Sequence, residues 1–199
     1  MTIIEGCLLE GVDYAGKTSI AKKLIEKLKK ENVRVKYNKD YISDNYFSKK
    51  LISKGDKLIA PDISQDLFYI ITKIIDINNY KINKKEFIIQ DRYLLSTLNH
   101  FSFFYLNKNR DIFKIYDKGI HFKKNIYLTS TLSTKIERFK KNKPTDSFDI
   151  YLSNNLDMFQ EYDNFCLSNV PKSEDWKIIQ TDNLSIESLV NIIIHFIKN

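Results

Sequence analysis

The sequence predicts a doubly wound α/β fold, a parallel five-stranded sheet with helices on both faces. Two observations carry this expectation. Short apolar runs alternate with longer segments of helical periodicity along the whole 199-residue chain. Strands alternating with helices predict a parallel sheet covered on both faces. No internal repeat or low-complexity linker interrupts the alternation, so residues 1–199 read as one domain.

Each element follows from its local pattern. Ile3 to Glu10 is a buried strand ending at Gly11. Lys17 to Lys30 carries Ile20, Leu24, Ile25 and Leu28 at helical spacing, with lysines on its other side. Val33 to Tyr37 is a short alternating strand, and Asp44 to Ser53 a short helix. Pro61 opens a helix to about Asn78, whose apolar residues are too dense for a one-sided stripe. Glu86 to Gln90 is the third strand, stopping at Asp91. Leu94 to Leu106 is an aromatic-rich helix, and Asp111 to Lys118 is helical too. Asn125 to Thr129 is the fourth strand, followed by a helix from Leu132 to Lys141 and a polar segment from Asn142 to Ser147. Phe148 to Leu167 reads as one helix, Trp176 to Gln180 as the fifth strand, and Ile186 to Ile197 as the closing helix. In such sheets ligands bind at the carboxyl ends of the strands, where Gly11, Asp91, Thr129 and Thr181 lie.

The sequence Gly11-Val12-Asp13-Tyr14-Ala15-Gly16-Lys17-Thr18 is a complete Walker A loop between a strand and a helix. Its backbone N–H groups, from Asp13 to Ser19, wrap a phosphate at a helix N-terminus, where the helix dipole also favours negative charge. Lys17 reaches the β- and γ-phosphates, and the Thr18 hydroxyl ligates Mg²⁺. Chance matches to this pattern occur, but the strand before it and the amphipathic helix after it are the context the motif requires.

A second group of polar residues follows the third strand. Asp91, at its end, has the position of an acid that holds Mg²⁺ beside a phosphate loop. Arg92 faces the same cleft, and a guanidinium fork suits phosphate better than an ammonium. The bland alternative is a capping Asp with a surface Arg, but arginine is scarce: Arg34, Arg92, Arg110 and Arg138 are the only four. Glu10 and Asp13 add two carboxylates, each able to serve as metal ligand, general base, sugar contact or purely structural group. After the fourth strand, Arg138-Phe139-Lys140-Lys141-Asn142-Lys143-Pro144 runs into a segment with Asp146 and Asp149. This is the pattern of a short cationic lid around 140–149, although basic residues at a helix end also serve its dipole.

Taken together these residues resemble the thymidylate kinase family. Leu9-Glu10-Gly11-Val12-Asp13-Tyr14-Ala15-Gly16-Lys17-Thr18 matches its phosphate loop, and Asp91-Arg92-Tyr93-Leu94-Leu95-Ser96 its Asp-Arg-Tyr-x-x-Ser. Glu137-Arg138 matches the end of its pre-lid helix, and the element order covers nearly the whole chain. The resemblance implies ATP as donor, Mg²⁺ as cofactor, and a deoxynucleoside monophosphate, foremost dTMP, as acceptor. It implies that Arg92 grips the acceptor phosphate, that Asp91 serves the metal, and that Arg138 belongs to the catalytic set. It places Asp13 near the acceptor sugar, Phe68 against its base and Ser96 in the acceptor site. It also implies a homodimer, for which the helix Leu94 to Leu106 offers an aromatic interface.

Several positions depart from the family pattern. The thymine-contacting arginine aligns with Thr72, with Lys73 beside it, and Ala-Tyr-Gln becomes Asn99-His100-Phe101. Arg-Glu-Pro becomes Lys39-Asp40-Tyr41, and Tyr14 stands where some members carry a catalytic arginine. Two rivals follow: a deoxynucleoside kinase with Glu10 as base, or a nucleotide-binding protein without turnover. The formal charge of +7 suits a polyanion, but the lysines are dispersed and no nucleic-acid motif accompanies them. Cys7 and Cys166 match no metal or redox spacing, and neither a signal peptide nor a membrane span is read, so a cytoplasmic protein is expected.

Overall fold

The computed structural model describes residues 2–43, 46–55, 63–81, 85–142 and 147–199. Five strands form one all-parallel sheet: β1 (Thr2–Glu10), β2 (Val35–Lys39), β3 (Phe87–Asp91), β4 (Ile120–Thr129) and β5 (Trp176–Gln180), in the order β2-β3-β1-β4-β5. β1 thus lies at the centre, and every loop leaving a carboxyl end opens on the same edge. The helices are α1 (Lys17–Lys30), α2 (Tyr46–Gly55), α3 (Ile63–Asn79), α4 (Leu94–Tyr105), α5 (Lys114–Asp117), α6 (Leu132–Asn142), α7 (Ser147–Asn154), α8 (Leu156–Ser168) and α9 (Ile186–Lys198). The anticipated helix starts at Asp44 and Pro61, and the lid residues Lys143, Pro144 and Asp146, lie outside the described residues.

Strand alternation divides the core into two faces. Cys7 and Leu9 of β1, with Ile89, Ile126 and Leu128, meet Ile20, Leu24 and Leu28 of α1 and Leu189, Val190 and Ile193 of α9. Ile4 and Leu8 point the other way, with Ile88 and Phe122, onto Leu94, Leu95 and Leu98 of α4. A third cluster joins Val12 and Tyr127 to Leu152 of α7 and to Phe159, Tyr162 and Cys166 of α8. Lys135 of α6 is fully buried there and ion-pairs with Asp163 of α8.

β2 runs two residues later than read, Val35–Lys39 against Val33–Tyr37, and three further elements differ more. The segment Phe148–Leu167 is two helices, because Asn155 leaves the helical region (φ −131°, ψ 68°) and starts α8 afresh. β4 begins at Ile120, five residues early, because pairing of Thr2 with Ile120 and Ile3 with His121 extends it beyond the apolar run. The segment Asp111–Lys118 divides into a 3₁₀ turn at Asp111–Phe113 and the single turn of α5. The aromatic helix suggested as an interface packs largely within the chain. Leu94, Leu95, Leu98, Asn99 and Ser102 of α4 are buried, and Phe103 and Phe104 pack on Tyr162 of α8. Exposed apolar side chains instead line α3: Ile63, Leu67, Ile71 and Ile74.

Candidate active site

The phosphate loop spans the turn from β1 to α1. Gly11 has φ 137°, and a Cβ there would sit 2.2 Å from the carbonyl oxygen of Leu128, so no side chain fits. Gly16, at φ 95°, is the N-cap of α1 and turns the loop into the helix. Tyr14 is left-handed without being glycine (φ 63°). Its conformation is held from outside: its carbonyl accepts from Arg138 Nη1 at 2.8 Å, and its hydroxyl donates to Asp149 Oδ2 at 2.8 Å. The Phe139 ring meets the Tyr14 ring edge-on. Ala15 is buried and Ser19 exposed.

Lys17 is buried and donates to two carbonyls of its own loop, Gly11 O at 2.7 Å and Val12 O at 2.8 Å. Burial, with the Arg92 guanidinium nearby, pulls its pKa down to about 8, although Asp13, Asp91 and Glu10 act the other way. Asp91 is fully buried at the end of β3. Its Oδ2 accepts from Thr18 Oγ1 at 2.9 Å and from the Tyr37 hydroxyl at 3.0 Å, while Oδ1 is buried without a partner. A hydroxyl touching a carboxylate with one spare buried oxygen fits Mg²⁺, which takes few protein ligands and fills its octahedron with water and phosphate oxygens. Bound there, the ion would neutralise charge on the donor phosphates, with Thr18 and Asp91 as its protein contacts. Among the described residues no cluster of three His, Cys, Asp or Glu side chains forms a separate metal site.

Arg92 stands beyond Asp91 with φ 62° and ion-pairs with Asp13 of the loop. Burial alone would raise the Asp13 pKa, but the Arg92 guanidinium, with Lys17 and Lys39, outweighs it and holds the carboxyl below its usual range. Glu10 is committed elsewhere: it accepts from Tyr93 N at 2.9 Å and from Ser96 Oγ, joining β1 to the first turn of α4. Ser96 therefore serves both this anchor and the cavity beside it.

That cavity, about 340 Å³, opens beside Asp13 and Arg92. Its walls are Lys39 at the end of β2 and Asp40 after it, Asp66, Tyr69 and Lys73 of α3, Tyr93, Ser96, Thr97 and His100 around α4, Phe148 and Asp149 of α7, and Tyr162 of α8. Phe68 is not among the lining residues, and Thr72 turns back to donate to the Phe68 carbonyl at 2.7 Å. Tyr69 and Lys73, one residue further on, take the inward positions. Lys73 is buried with its ammonium 5.1 Å from the Tyr93 ring centroid, and burial lowers its pKa. His100 Nδ1 pairs with Asp66 Oδ2 at 2.7 Å, and its ring packs against Phe104 and Phe148. Arg138 does not reach this cavity. Its guanidinium is bound to Tyr14 O and, at 3.1 Å, to Thr181 Oγ1, clamping the phosphate loop to the exit of β5.

A phosphate loop, a strand-end Asp touching its Thr, and an arginine over a second polar cavity form a two-substrate arrangement. The sequence comparison decides the family: the thymidylate kinase profile matches residues 9–193. The chain belongs to the thymidylate kinase family. It is accordingly a nucleoside monophosphate kinase, and the family generally uses ATP and Mg²⁺. The fold is similar to that of thymidylate kinase from Candida albicans, described as having broad substrate specificity and a novel structural element. The two share 19% identity and a TM-score of 0.69, over 98% of this chain and 91% of that one. No curated protein sequence matches the chain. No helix among the described residues is long and apolar enough to cross a membrane.

Tyr37, Tyr69, Thr97 and Tyr162 were not identified from sequence as site residues. Tyr37 and Tyr162 belong to no local motif. Tyr69 and Lys73 carried a usable signal, an aromatic and a cation four residues apart on one helix face.

Proposed function

We propose that the protein transfers the γ-phosphoryl group of Mg-ATP to the 5′-phosphate of a deoxynucleoside monophosphate, converting dTMP to dTDP. The observation that carries this reading is the meeting of Arg92 and Asp13 at the junction of the phosphate loop with the cavity. Lys17 and the loop amides from Asp13 to Ser19 stabilise charge on the transferring group, and Thr18 and Asp91 hold the metal. Arg92 aligns the acceptor phosphate, so that catalysis rests on positioning and electrostatics. Asp13 lies beside the acceptor sugar, and Ser96 borders the acceptor. Tyr69 is the aromatic platform for the base in place of Phe68, and Lys73 offers a hydrogen-bond donor to a base carbonyl. Arg138 contributes by restraining the loop, and the segment around 140–149 serves as the lid. The protein works in the cytoplasm as a homodimer, with the exposed face of α3 as its contact.

The Glu10 carboxylate, occupied by Tyr93 N and Ser96 Oγ, is poorly suited to act as base toward a nucleoside hydroxyl. A second reading, binding without turnover, has one observation in its favour. Tyr14 occupies a catalytic arginine's place, and Arg138 is bound to Tyr14 O and Thr181.

An ADP-release assay with Mg-ATP against a panel of nucleosides and their 5′-monophosphates tests the proposal. Turnover on dTMP, with Lys73→Met raising its KM selectively over that for ATP, is the expected result. Turnover on free nucleosides would move the assignment to the deoxynucleoside kinases. Silence on the whole panel with ATP still bound would favour the binding-only reading.

A further inference from the structure

Gln90 is fully buried in β3, in register with apolar Leu8 of β1. An amide here has a cost, because its Oε1 is buried without a partner. Its Nε2, however, donates to the carbonyl of Arg92 at 2.8 Å, two residues on. Arg92 is left-handed at φ 62°, a conformation unfavourable for a residue with a Cβ unless its surroundings impose it. Its N–H donates to Leu9 O at 3.0 Å, so Gln90 and Leu9 together fix both of its main-chain polar groups. The neighbouring strand shares one part of this, a buried amide two residues before a left-handed one, but its amide bonds further along the chain. Asn38 pairs with Gln90 in register, its side-chain amide donates to Ile42 O at 3.4 Å, and Asp40, two residues after it, is also left-handed at φ 64°.

We infer that Gln90 is a positioning residue for phosphoryl transfer: its hydrogen bond to the Arg92 carbonyl holds the left-handed turn that carries the guanidinium to the acceptor cavity. This rests on the reading of Arg92 as the group that grips the acceptor phosphate. Released from that bond, the Arg92 backbone relaxes toward negative φ and the guanidinium moves off its line. The phosphate loop, anchored by Arg138, and the Asp91 contact to Thr18 stay in place; of the loop's side chains only Asp13 loses its partner.

The test compares Gln90→Met, which keeps volume but removes the donor, with Arg92→Ala and with the double variant. Gln90→Met should raise the KM for the acceptor monophosphate on the order of tenfold while leaving the KM for ATP unchanged. In the Arg92→Ala background it should add nothing, because Gln90 acts through Arg92. An unchanged acceptor KM in Gln90→Met overturns the inference, as does an equal further loss in the double variant. If Arg92→Ala itself leaves acceptor use intact, the functional reading of Arg92 fails instead. Melting temperatures are measured alongside, and Gln90→Leu replaces Gln90→Met should the latter not fold. A loss affecting both substrates equally, in step with stability, also overturns the inference.

Discussion

Raising the pH should weaken ATP binding through Lys17, and the structure sets the size of the effect. Burial, reinforced by Arg92, pulls this ammonium from 10.5 to about 8. At about 1.4 kcal/mol per pKa unit, the charged form is disfavoured in the empty folded protein by about 3 kcal/mol. The folded value lies below the unfolded one, so between about pH 8 and 10.5 the unfolded chain binds more protons. This group's contribution to stability therefore rises with pH across that window. Nucleotide binding acts in the opposite direction. Phosphate oxygens favour the ammonium, so a protein that has lost this proton must take one up to bind ATP. Near pH 7 uptake by Lys17 should be close to zero, at about pH 8 close to half a proton, and at about pH 9 close to one. Over the upper part of that range, affinity should fall by roughly tenfold per pH unit. Titration calorimetry in two buffers of different ionisation enthalpy measures both quantities. Lys17→Arg, charged throughout the range, should lose the pH dependence. Flat affinity with no buffer-dependent heat at about pH 9 would refute the claim that the empty loop releases the Lys17 proton.

Two further outcomes follow from buried polar contacts. Glu10→Ala leaves Tyr93 N and Ser96 Oγ without their acceptor and should lower stability by about 2 kcal/mol in urea denaturation; no change would mean that water replaces the carboxylate. Lys135→Met strands the buried Asp163 carboxylate and should lower stability by about 3–5 kcal/mol, most of it recovered in Lys135→Met/Asp163→Leu. A double variant no more stable than the single one would show that the loss is one of packing.

The fold was legible because its signals are local. The phosphate loop is one contiguous pattern, and the strand-end position of Asp91 follows from the apolar run before it. β4 was read short because Lys123 and Lys124 interrupt its apolar pattern, while backbone pairing with β1 is indifferent to them. The break between α7 and α8 went unread because no Gly or Pro marks it; Asn155 alone leaves the helix. On α3, apolar residues surround the helix and erase its phase, so nothing in the sequence corrects the Phe68 and Thr72 positions that the family resemblance implies toward Tyr69 and Lys73, which line the cavity. The cavity as a whole could not be read, since it joins Asp40, Asp66, His100, Phe148 and Tyr162, side chains from five separate stretches of chain.

On the proposed reading, in which Arg92 grips the acceptor phosphate, its ion pair with Asp13 gives that site a competitor of its own. Any incoming anion must exchange with a carboxylate already in place, so affinity reflects the difference between two ligands. A singly charged group gains little from that exchange, whereas a phosphate dianion brings more charge and more acceptor oxygens than it displaces. On that reading the pair would act as a threshold, ranking monophosphates above nucleosides and monoanions before any contact with the base is made.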